Sequence, residues 1–75
     1  MKEKIEKRLA AAHDKVRKQE TKVAEHQAAI RALAAQTPDM ILSAMPMKLQ
    51  NMQEAMNYLE MLQHEVMVLE SLIND

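Results

Sequence analysis

Residues 9–33 read LAAAHDKVRKQETKVAEHQAAIRAL, and the apolar positions of this stretch decide the fold. Leu9, Val16, Val23 and Ile30 recur every seven residues, with Ala12 and Leu33 between and beyond them and Ile5 extending the series upstream. Written as heptads, the first four occupy a, and Ile5, Ala12 and Leu33 occupy d. The two remaining d positions hold Gln19 and His26. Spacings of three and four residues place one stripe on an α-helix and cannot be the alternation of a strand. Ala, Lys, Glu, Gln and Arg fill most other positions, so intrinsic propensity agrees with the pattern. The stretch predicts one helix over residues 2–35, about 50 Å long at the standard rise.

Downstream lies Gln36-Thr37-Pro38-Asp39. Thr37 suits an N-cap, Pro38 the first helical position, and Asp39 the positive end of a helix dipole. Pro46 interrupts again, which predicts a proline-marked corner over 36–46, with a short helical turn inside it, and a second helix over 46–74. A kinked continuous helix is the other option. The second helix has a seam of Met45, Met52, Ala55, Leu59, Leu62, Val66, Leu69 and Ile73, widened by Leu49 and Met56, with Lys48 at one d position. A second stripe, Tyr58, Met61, Val68 and Leu72, is interrupted by Glu65. Together the two stripes exceed the apolar arc of a surface helix. One antiparallel neighbour cannot cover both.

Charge divides the chain at the same place. Residues 1–36 hold nine basic residues against five acids, a net of +4, and residues 37–75 hold Lys48 against six acids, a net of −5. Opposite flanking charges favour pairing the two helices with each other over self-pairing of either, although exposed pairs contribute under about 1 kcal/mol each. Gln19 and His26 on the seam are either register devices or, as we expect, points where the seam opens and both side chains reach solvent. Alanines 28, 29, 32, 34 and 35 make the end of the first helix slim.

The composition removes several classes of function. Without cysteine there are no disulfides, thiolate metal sites or cysteine nucleophiles, and without glycine there is no phosphate-cradling loop. His13 and His26 are too far apart to share an ion on one helix. The residue four after His64 is Val68, so the paired-histidine zinc motif fails. No catalytic, cofactor or metal site is expected. The basic residues Lys7, Lys15, Lys18 and Lys22 offer the alternative of a nucleic-acid regulator. Interrupting acids and the near absence of aromatics argue against it. The charged N-terminus and the short apolar run Met40 to Met47 predict neither a signal peptide nor a membrane span, so the expected location is the cytoplasm.

A hairpin of 75 residues buries little and needs a further staple, which without cysteine is another chain. The expected architecture is all-α, a single domain over residues 1–75, a coiled-coil-like antiparallel helical hairpin assembling into a dimeric four-helix bundle. Its core is expected to be Leu9, Val16, Val23 and Ile30 packed on Met52, Leu59, Leu62, Val66 and Leu69. Tyr58, Met61, Met67, Val68 and Leu72 are the expected partner-binding residues, against a second copy or another protein. Seven of the eight methionines lie in residues 40–67, and flexible thioethers suit an adaptable apolar surface. Met40, Met45 and Met47 form an expected third patch near the corner. The expected function is a non-enzymatic adaptor or regulator. Size, hairpin layout and the apolar C-terminal helix are similar to the small co-chaperones of type III secretion needle subunits, a likeness that implies a chaperone role.

Overall fold

The computed structural model describes residues 2–74. Two helices, α1 (Lys2–Ala34) and α2 (Pro38–Asn74), are joined by a corner of residues 35–37. They run antiparallel in contact, an all-α helical hairpin measuring 56 × 14 × 13 Å. The long dimension is that of one helix, since the 37 residues of α2 span about 55 Å at the standard rise.

α1 stops where Thr37 precedes a proline, because the proline ring disfavours helical geometry in the residue before it. Two tightened bonds finish α1. The Ala35 N–H donates to the Ala32 carbonyl at 3.3 Å and the Gln36 N–H to the Leu33 carbonyl at 2.9 Å. Thr37 then begins α2. Its carbonyl accepts from the Ile41 N–H at 3.1 Å, which makes it the N-cap, and Pro38 takes the position where a missing N–H costs nothing. No described residue has positive φ, so the reversal needs no glycine.

The corner is shorter than the prolines predict. α2 starts at Pro38 instead of residue 46 and continues through Pro46 without a break. Ile41 and Met45 explain this. They extend the seven-residue repeat of α2 toward its start, and both are half-buried, as are Ala44 and Lys48. Pro46 is exposed, and the carbonyl it leaves without a donor belongs to Leu42, which is 77 % exposed. The unpaired group therefore lies on the solvent side, where water can serve it. Continuity of the seam outweighs the local cost of the proline.

Between the helices lies a single seam. Ala12, Gln19, Val23 and Leu33 of α1 and Leu62, Val66 and Leu69 of α2 are buried. Ile5, Leu9, Val16, His26 and Ile30 are half-buried, as are Met52, Ala55, Leu59 and Ile73. These are the a and d rows of both helices. The tightest cluster is Ala12, Val66 and Leu69, with Ile5, Leu9 and Val16 against it. Leu49 and Met56 do not widen the seam as their spacing predicts. Both are exposed, because one neighbouring helix reaches little beyond the a and d rows.

Substituting Pro46→Ala restores a donor for the Leu42 carbonyl and leaves the seam untouched. It is expected to raise the unfolding free energy by about 1–3 kcal/mol, seen as a higher urea midpoint at unchanged helicity. No gain would mean that the helix is broken at Pro46.

Candidate protein-binding surface

Gln19 is the polar centre of the seam. The expected opening to solvent does not occur there. Gln19 is 6 % exposed, and its Nε2 donates to the Ala55 carbonyl at 2.9 Å. That carbonyl also serves the helical ladder of α2, and its second lone pair accommodates the glutamine. The bond links one side chain to one level of the opposite backbone. His26, half-buried one heptad further on, borders a shallow groove where Lys22 of α1 faces Glu54 and Tyr58 of α2.

The opposite charges of the two helices are scarcely used between them. Among the described residues the one cross-helix ion pair joins His13 Nε2 to Glu70 Oε1 at 3.5 Å, and it is a charged pair only when the imidazole is protonated. The other two pairs stay within α1, where Asp14 meets Arg17 and, at 3.2 Å, Lys18. Hydrogen bonds from Arg17 and then Lys18 hold the Asp14 carboxyl below its ordinary pKa. Lys7, Lys15, Lys18 and Lys22 are all exposed, and Lys18 is occupied by Asp14.

Among the described residues, every large apolar side chain left exposed belongs to α2: Met40, Leu42, Met47, Leu49, Met56, Tyr58, Met61, Met67, Val68 and Leu72. Helical geometry sorts them onto two flanks of the seam. On one flank lie Tyr58, Met61, Val68 and Leu72, the second stripe, with Glu54 and Glu65 set into it. Met40 and Met47 continue this stripe toward the corner; Met45 belongs to the seam, so the three do not form a separate patch. On the other flank lie Leu42, Leu49 and Met56. Met67, expected among the partner-binding residues, is also on that side, apart from the stripe, and is 67 % exposed. The signal for Met40 and Met47 was present in the sequence, because Met47, Glu54, Met61 and Val68 share one seven-residue row.

The expected core residues lie on the seam, with Val23, Leu62, Val66 and Leu69 buried and Leu9, Val16, Ile30, Met52 and Leu59 half-buried. No three metal-ligating side chains come together among the described residues. No helix among them is long and apolar enough to cross a membrane. The chain matches no protein-family model, no curated protein and no solved structure.

The hydrogen bond of Gln19 is directly testable. Gln19→Ala is expected to destabilise the hairpin by about 1–2 kcal/mol in urea unfolding, through lost packing and the lost bond. Gln19→Leu keeps the bulk without a buried polar group and is expected to match or exceed the parent. Equal stability of the alanine variant and the parent would show that the contact to Ala55 contributes nothing.

Proposed function

We propose that this chain is a non-enzymatic protein-interaction module, a small self-associating helical adaptor or regulator that works through the apolar face of α2. One observation carries the reading: the large apolar side chains left exposed are all on α2, while the outer face of α1 carries only charged, polar and alanine side chains. Exposed apolar side chains aligned in this way are the usual mark of a protein contact. Association into a dimeric four-helix bundle buries the flank that carries Tyr58, Met61, Val68 and Leu72, and supplies the second source of stability that a hairpin with one thin seam requires. Methionine on three of the stripe positions keeps the surface adaptable, which suits a module meeting more than one apolar partner.

The stripe can be removed without touching the seam. Met61→Glu combined with Val68→Glu is expected to keep the α-helical circular dichroism signal and to reduce the mass measured by light scattering to that of a monomer. An unchanged oligomeric mass would refute the stripe as the association surface.

A further inference from the structure

Acidic α2 carries the exposed apolar side chains, basic α1 carries none of comparable size, and no lysine or arginine of α1 pairs with a carboxylate of α2 among the described residues. Lys15 and Lys22 form no ion pair with α2, and Glu54 and Glu65 form none with α1. We propose that the occupant of the Tyr58–Leu72 stripe is α1 of a second copy of this chain, so that basic and acidic helices alternate around a two-fold bundle. This rests on the reading of the stripe as the association surface and adds which helix covers it.

Three features support α1 of the second copy over α2 of the second copy. Packing α2 on α2 matches apolar rows but brings Glu54 and Glu65 toward a second set of glutamates, and like charges in contact act against association. Packing α2 on α1 places the same glutamates against lysines. On the corresponding flank of α1, Ala11 and Ala32 leave room at the two ends of a row whose middle holds Lys18 and one acid, Glu25, and the aliphatic stems of Lys15 and Lys22 beside it can lie over Met61 and Tyr58 while their ammonium groups reach the glutamates. Finally, the levels agree. The Gln19–Ala55 bond and the His13–Glu70 pair bracket the facing levels of the two helices. Glu65 lies between the two points on α2 and Lys15 between them on α1, while Lys22 and Glu54 border one groove. A two-fold axis along the bundle keeps every α1 at the same height, so α1 of the second copy presents Lys15 to Glu65 and Lys22 to Glu54 with no change of register.

The test uses two charge-reversed full-length chains, K15E/K22E and E54K/E65K. Neither reversal breaks an ion pair seen inside the hairpin. Each alone is expected to be monomeric by light scattering at a concentration where the parent is dimeric. An equimolar mixture is expected to recover the dimeric mass as a heterodimer, identified by native mass spectrometry. Variants that dimerise like the parent, or a mixture that stays monomeric, would overturn the arrangement. If M61E/V68E dissociates while the charge variants do not, the stripe stands as the association surface and the α1-on-α2 arrangement alone fails. A parent that is monomeric throughout overturns the second copy as occupant. Salt gives a reading that needs no variant. Raising NaCl from about 50 mM to about 1 M is expected to weaken the parent dimer on the order of tenfold by screening the attraction. A dimer that tightens in salt would mean that like-charged α2 helices face each other, and would overturn the proposal.

Discussion

The a and d rows of α2, running from Ile41 to Ile73, can rest against only one helix, because a cylinder touching a single neighbour buries a narrow arc. Most of the structure follows from that constraint. The rows of α1 meet those of α2 along one seam, and no described side chain is completely enclosed. The apolar residues of α2 outside the arc stay in water. Even the path of α2 through Pro46 reflects the seam, since a break there would take Ile41 and Met45 out of the contact. The core and the uncovered surface therefore have a common origin. The same helix carries more apolar rows than one partner can meet.

Some of this was legible in the residues and some was not. The seven-residue recurrence of Leu9, Val16, Val23 and Ile30 identifies the seam of α1 because burial and helical period coincide there. Thr37-Pro38 marks the reversal because its physics is local: a proline restricts its predecessor and suits the first helical position. Pro46 misleads for the opposite reason. Its local preference is real, but the outcome depends on whether the carbonyl it orphans faces water and on what lies across the seam. Gln19 misleads because its partner is the backbone carbonyl of Ala55, which no side-chain pattern displays. The second stripe was readable as a row, while the separation of Met67 from it required the angular position of each residue about the axis of α2.

Charge has a different role from the seam. The difference in sign between the halves is large, yet the hairpin joins them by only one histidine–glutamate contact among the described residues. Lysines and glutamates on neighbouring flanks still bias which helices approach, since reversing the pairing brings like charges together. In the proposed bundle that bias would act on partner choice and association rate more than on the stability of the finished hairpin. Stability comes from the seam, and the Gln19–Ala55 bond ties one level of α1 to one level of α2 within it.

The seam and the outer face of α2 are also built from different side chains, and the difference bears on what each can do. Branched Leu, Val and Ile dominate the buried rows near the open end of the hairpin, where Ala12, Val66 and Leu69 form the tightest cluster. Such side chains have few rotamers and hold one arrangement. The exposed stripe mixes Met40, Met47 and Met61 with Tyr58, Val68 and Leu72. Thioethers adjust to the shape of whatever covers them at little cost, while the glutamates set among them reject a surface of the wrong sign. A fixed seam beneath an adaptable, charge-filtered face separates two demands on so short a chain: the hairpin keeps its own packing, and the proposed outward contact would remain open to refitting. In the proposed bundle that contact adds to a thin core, so folding and association would be thermodynamically linked, and the hairpin would gain stability with the concentration of the second copy.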